Sequence, residues 1–269
     1  MKGTPLPAIR PSAPLRIKYQ ARVDALVEEM ATSLLYWLRA AYRADTPATV
    51  ELAQDASSAR VLQSAFDKLA ARWHSRFDDL SVTLADWFAS GHRTRVDASM
   101  QAAMRKAGFT VRFTQTPAMR DAFTAIVDEN IGLIRSIATQ HLEGVRVDLM
   151  QSVQNGRDLE YLTNALTRRT GITKRRAARI ARDQNNKATA VMVRTRALEV
   201  GVTKAIWKHS RGGKQPRREH AAFDGQTFDL RAGHDFDNGE GVVWPGTAIN
   251  CRCVAMPLYG VFDDGPPKG

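Results

Sequence analysis

From Leu15 to Val200 the chain repeats apolar residues at intervals of three or four, and that period commits this stretch to helix. Val23, Leu26, Val27, Met30, Leu34, Leu35 and Leu38 make one stripe, which predicts a helix over about 15–44 closed by Thr46-Pro47. A second predicted helix, about 57–90, carries Leu62, Phe66, Leu69, Trp73, Leu80, Leu84 and Trp87 near heptad spacing, with Gly91 as its expected stop. A shorter helix is expected from Arg93 to Ala107, ending at Gly108, before a brief extended segment from Phe109 to Phe113. Thr116 suits a cap and Pro117 the first helical position; Phe123, Ile126, Val127, Ile131, Ile134 and Ile137 continue that helix to about Leu142. Two helical pieces, about 146–154 and 159–169, flank Asn155-Gly156, and a basic helix is expected from Thr173 to Val200, stopped by Gly201.

The ends read differently. Pro5, Pro7, Pro11 and Pro14 fix backbone angles and remove donors, so residues 1–14 are expected to form an extended arm, free to grip a neighbour. Beyond Gly201 glycine, aspartate, histidine and proline become frequent, and Ala205-Ile206-Trp207 and Val254-Ala255-Met256 read as short strands between irregular loops. The expected fold class is mainly α: an elongated helical region over 15–170, a small α+β module over 171–260, and a polar tail over 261–269. No repeat of 20 to 50 residues argues for a solenoid. With 43% hydrophobic and 25% charged residues the composition is that of a folded chain, not a disordered one. No run of 18 apolar residues suits a membrane span, and prolines stand where a signal peptide would be apolar, so a soluble, unsecreted protein with no membrane partner is expected.

Charge is unevenly placed. The chain carries +11 overall, but Arg168 to Arg218 alone holds sixteen Lys/Arg against Asp183 and Glu199, leaving the remainder slightly acidic. Arg175, Arg179 and Arg182 share one face of the predicted basic helix, while Ala177, Ile180, Ala181, Ala188, Val191 and Leu198 favour another. Arg211, Lys214, Arg217 and Arg218 extend the field into a loop that Gly212-Gly213 would let move. These seven residues are the candidate nucleic-acid contacts, predicting salt-sensitive, sequence-independent DNA binding; the competing reading is a solvated helix face. Few aromatics interleave the charges, which disfavours single-strand stacking.

Cys251 and Cys253 are the only cysteines, which excludes a disulfide framework. On a strand two residues one apart face the same side, so both sulfurs can meet one ion, and zinc favours such ligands. His220 is the first choice for a third ligand, with His209, Asp224 or His234 as the fourth; the alternative is two reduced, buried cysteines. Asp224-Gly225 reads as a turn, and Arg252, facing away from the cysteines, would pair with a carboxylate such as Asp224 or with phosphate. Trp207 is read as core. His220, Asp224, His234, Asp235 and Asp237 can be assembled on paper into a hydrolase, but no nucleophile–base spacing supports it. Neither G-x-S-x-G, H-E-x-x-H nor a P-loop sequence is present, so no catalytic residue is assigned and the chain is not expected to be an enzyme.

The order of these elements resembles the phage Mu F-type head morphogenesis or minor capsid family. The resemblance rests on Trp207, Arg217 to His220, Asp224-Gly225, Pro245-Gly246 and the closing Asn250-Cys251-Arg252-Cys253, preceded by Ile180-Ala181-Arg182-Asp183 and Asn185-Asn186. It covers about residues 170 to 260. Related members place a Cys-x-x-Cys where this chain has only His220. The resemblance implies a structural role in head assembly, in few copies in the capsid interior or at the portal vertex after assembly in the host cytoplasm. Its implied partners are the portal protein and the major capsid or scaffolding protein; DNA is the partner that the charge adds. Some members carry an effector domain after this module, and with few residues after Pro257 none is expected here. Two rivals remain: a DNA-processing enzyme or toxin using the His220/Asp224/His234 cluster, and a zinc-stabilised DNA-binding protein unrelated to virions.

Overall fold

A computed structural model of the chain describes residues 3–44, 58–212 and 216–260. The fold is mainly α, with four long helices, α1 (Ala13–Ala44), α2 (Ser58–Lys106), α3 (Pro117–Gln154) and α4 (Leu159–Glu199), and one short one, α5 (Arg218–Ala222). The strands are β1 (Thr4–Pro5), β2 (Lys204–Lys208), β3 (Thr227–Asp229), β4 (His234–Asp235), β5 (Val242–Val243) and β6 (Val254–Tyr259).

Three expected breaks are absent, and the helices run through Gly91, through the 143–145 gap and through Gly171. Gly91 is explained by packing: a Cβ there would sit 3.0 Å from Leu15 Cδ1, so the bare backbone admits the start of α1. A glycine inside a helix costs about 1 kcal/mol relative to alanine, a penalty that burial of a leucine on that surface offsets. Thr116 caps α3 as expected, its Oγ1 accepting the Met119 amide at 3.1 Å. Residues 109–113 form no strand; Phe109 instead packs edge-on against Tyr259. Thr46-Pro47, Lys214 and the 261–269 tail lie outside the described residues.

The chain forms two compact units. One comprises the described residues of Lys18–Leu84 together with Glu129–Ile180. Its core is aliphatic and aromatic, drawn from Val27, Met30, Leu34 and Leu38 of α1, Leu62, Phe66 and Phe77 of α2, Ile134, Ile137 and Leu149 of α3, and Leu162 and Leu166 of α4. Three buried polar pairs lie there: Tyr19 Oη donates to Asn130 Oδ1 (3.1 Å), Tyr42 and Ser152 share a hydrogen bond, and His141 Nδ1 meets Thr173 Oγ1 at 2.9 Å.

The other unit comprises the chain up to Ile17, Ala85–Asp128, and the described chain from Ala181 onward. Its sheet has the order β1-β6-β2-β3, antiparallel throughout, and β4 pairs separately with β5. The N-terminal arm is extended, but it pairs with its own chain: Thr4 and Pro5 lie opposite Tyr259 and Leu258, and the Leu6 amide donates to Pro257 O at 2.8 Å. Pro5 is tolerated because β1 is an edge strand. At the heart of this unit Arg196 is 1% exposed. Its guanidinium donates to both Asp97 oxygens (2.7 and 2.9 Å), to Glu199 Oε2 (2.7 Å) and to Thr114 O (2.8 Å), with the Phe113 ring beneath it at 4.7 Å.

Two predictions follow from burial. Arg196→Met strands Asp97 and Glu199 and is expected to cost about 3 kcal/mol, the lower end for breaking a buried pair because both carboxylates keep some solvent contact; chemical denaturation measures it. Burial pushes His92 down to about 3, with Arg95 adding, and His141 down to about 4, with Arg169 adding. The unfolded chain takes up these protons below pH 6.5 and the folded one does not, so stability is complete above pH 6.5 and falls as the pH drops toward 4. At pH 5 each histidine is expected to cost about 2 kcal/mol. Urea unfolding at pH 7 and pH 5 reads this, and H92Q/H141Q is expected to lose that part of the pH dependence.

Candidate metal centre

The strand β2 carries Trp207, which is fully buried and anchors the module, with Phe223, Phe228, Phe236 and His220 edge-on around it at 5.1 to 5.7 Å. Its core reading holds. The turn at Asp224-Gly225 returns the chain to β2: Gly225 N donates to Trp207 O and Trp207 N to Gln226 O, both at 2.8 Å. Just before it, α5 presents His220, stacked on Phe236 at 4.6 Å and 2% exposed.

His220 Nδ1 lies 3.6 Å from Cys251 Sγ and 3.9 Å from Cys253 Sγ. Both cysteines are buried, and this trio is the one group among the described residues whose ligand atoms all lie within 4.8 Å of one another. The cysteines sit on the irregular run into β6 rather than on the strand, yet the alternation survives, since Cys251 and Cys253 point inward while Arg252 is exposed.

The run is held by α4. Asp183 Oδ1 accepts the Asn250 amide at 2.6 Å, and Asn186 Nδ2 donates to Cys251 O at 2.8 Å. Asn250 adopts a left-handed φ of 59°, the Cys251 amide closes a turn on Ala248 O, and the Gly246 amide donates to Cys251 Sγ at 3.4 Å. Gly246 is at φ 91°, and a Cβ there would meet Cys253 O at 3.0 Å and Ala190 Cβ at 3.1 Å, so only glycine lets the loop close on α4. Asp183 and Asn186 had been legible only as part of a motif; the structure gives them the task of fixing the cysteine backbone.

The hydrogen bond from Cys253 holds the Cys251 thiol well below its ordinary range, outweighing burial, with His220 and the Gly246 amide adding. That same hydrogen bond and burial push Cys253 up. Of the two, the lowered Cys251 thiol is the readier to meet a soft divalent ion as a thiolate. Two sulfurs and an imidazole suit such an ion, and the group can hold a metal. Among the described residues His220 Nε2, which is buried, has no hydrogen-bond partner of the kind an imidazole ligand commonly gives its second nitrogen.

The expected fourth ligands go elsewhere. Asp224 Oδ1 accepts the His209 amide at 2.9 Å, and Oδ2 takes Lys208 Nζ at 3.3 Å and Arg211 Nη2 at 3.4 Å. The backbone hydrogen bond from His209, opposed by desolvation and aided by Lys208, holds that carboxyl below its ordinary range. The ion pair anticipated between Arg252 and Asp224 is therefore replaced by Lys208 and Arg211, because Asp224 faces the β2 end. His234 stacks on Phe223 at 3.9 Å. Only His209 borders the same cleft, its Nδ1 occupied by the Arg211 amide at 3.1 Å. His220, Asp224 and His234 do not converge.

The cations divide. Arg175, Arg179 and Arg218 are exposed, Arg211 pairs with Asp224, and Arg217 pairs with Glu240 at 2.8 Å while donating to Ile249 O at 3.0 Å. Arg182 is half-buried beside the cysteines. Others of the basic stretch are neutralised, Arg169 by Asp148, Lys174 by Glu28 and Arg196 by Asp97 and Glu199.

Residues 143–256, the later part of α3, all of α4 and the sheet module as far as β6, match the family described as phage Mu protein F like protein. The C-terminal region is thus similar to that family. Every residue on which the resemblance rested lies within it. Over 143 residues the chain is 34% identical to an uncharacterized protein of Haemophilus influenzae, covering 53% of this chain and 31% of that protein, so it spans about a third of the relative's length. No solved structure matches. The Mu F-like region thus includes both the cysteines and the helix that braces them. No helix among the described residues is long and apolar enough to cross a membrane.

Proposed function

We propose that this protein is a phage minor capsid protein that acts in head morphogenesis, entering the procapsid at or near the portal. The observation that carries this is the Mu F-like match over residues 143–256, which takes in both cysteines, His220 and their brace on α4. The portal and the major capsid or scaffolding protein are its proposed partners, and the particle, in its interior or at the portal vertex, its proposed location, reached from the host cytoplasm. In this reading the module over 171–260 is a folded assembly unit rather than an active site. The enzyme rival has little to stand on: Asp224 is tied into two ion pairs and His234 into a ring stack. Exposed Arg175, Arg179 and Arg218, with Lys214, are the residues proposed to meet packaged DNA through its phosphates.

The proposed structural cofactor is zinc, held by His220, Cys251 and Cys253. When bound it would supply cross-linking between α5 and the run into β6; the protein residues hold those two segments in place for it. C251S/C253S is expected to remove one equivalent of bound metal and to lower Tm, and chelation of the wild type is expected to lower Tm likewise, read by elemental analysis and thermal unfolding. A metal-free wild type of unchanged Tm would leave two buried thiols and end the zinc reading.

Quantitative mass spectrometry of purified procapsids and mature particles, with the portal protein as internal standard, tests the main reading. The expected result is a copy number at or below that of the portal subunit, with persistence after packaging supporting the DNA contact. Absence from both particles would refute the minor-capsid reading.

A further inference from the structure

The cleft in front of the cysteines has a chemistry that neither an assembly role nor a zinc site requires. Its volume is about 280 Å³, and its lining includes three arginines, Arg182, Arg217 and Arg252, and no carboxylate. Arg217 is satisfied by Glu240 and Ile249 O. Arg182 and Arg252 have no ion-pair or hydrogen-bond partner among the described residues, although their neighbours Arg217 and Arg211 each pair with a carboxylate. Arg182 comes from α4, and the Arg252 guanidinium lies over Gly212, 3.7 Å from where a Cβ would be. A third donor comes from β2's end: His209 Nδ1 accepts the Arg211 amide, so the ring proton sits on Nε2. Three separate segments thus bring a donor each to one concave site, which Cys251, Cys253, Ser210 and Asn250 also line.

Uncompensated cations placed together repel, and the arrangement is stabilised only by an anion that accepts from them. A carboxylate has two oxygens, and one guanidinium fork engages both, so a second fork has to share them. A phosphoryl group has three non-bridging oxygens and can meet two forks and an imidazole N–H together. The volume also leaves room for part of whatever the phosphorus is attached to.

We propose that this cleft is a phosphoryl-binding site, with Arg182 and Arg252 gripping the oxyanion and His209 Nε2 donating a third hydrogen bond. The site does not depend on packaged-DNA contact through the exposed arginines, and inorganic phosphate alone tests it. Calorimetric titration of phosphate into the full chain in chloride buffer is expected to show saturable binding. R182Q/R252Q is expected to weaken it at least about tenfold, whereas R105Q/K106Q, at the exposed end of α2, is expected to bind as wild type; near-UV circular dichroism checks that both variants are folded. Acetate at the same ionic strength is expected not to compete. The proposal is overturned by a titration without saturation, by R105Q/K106Q losing as much affinity as R182Q/R252Q, or by acetate competing as well as phosphate. Oligonucleotides identify the source. Displacement of phosphate only by a 5′-phosphorylated strand assigns the site to a terminal phosphate, displacement by phosphorylated and unphosphorylated strands alike to the backbone, and displacement by neither to a free phosphate, each keeping the site. Phosphate binding intact in a protein that does not retain duplex DNA would refute the DNA contact and leave this site standing.

Discussion

A guanidinium removed from water must find an acceptor for each exposed N–H, and Arg196 finds them on Asp97, Glu199 and Thr114 at once. That requirement fixes the α2 segment at Asp97, the 109–116 connection and the end of α4 against each other. The residues that follow, Val202 and Thr203, are buried, and Thr203 O accepts the Leu230 amide at the edge of the sheet. The position of β2, and with it Trp207, is therefore set where α4 ends.

Three turns earlier on the same helix the problem is reversed. The run from Gly246 to Cys253 is irregular and buries Gly246, Cys251 and Cys253, so the amides and carbonyls there lack a ladder. Asp183 and Asn186 supply the missing acceptor and donor, and the Gly246 amide turns to a sulfur. A polar helix face that would be a liability in a core is here the template on which a loop without secondary structure acquires one conformation. The thiols and His220 meet because of that template.

Charge tells a related story. The basic stretch reads as one field when counted along the chain, yet its members meet different fates: Arg169 and Arg196 are spent on buried or half-buried carboxylates, Arg211 and Arg217 on pairs within the module, and Arg175 and Arg179 remain in solvent. A guanidinium's role depends on which carboxylate the fold brings within about 4 Å, and the partners of these arginines come from as far away as Asp97.

The sequence by itself determined that this would be a helical protein with a small mixed module, because a three-to-four-residue apolar period over some 180 residues has no other compact solution, and the Trp207, His220 and Asn-Cys-Arg-Cys spacing was enough to find the Mu F-like region. Trp207 was legible as core from its place in a domain short of apolar mass. Helix continuity was not, since Gly91 looks like a stop until Leu15 is seen occupying the space a side chain would fill. Nor was the fate of the expected fourth ligands: the pull of Asp224 toward Lys208 and Arg211, the stacking of His234 and the bracing by Asp183 and Asn186 are contacts across 11 to 67 residues, which spacing along the chain cannot encode. Local periodicity is written in the sequence; which polar groups share a buried pocket is decided only when the chain closes on itself and each must satisfy its hydrogen bonds there.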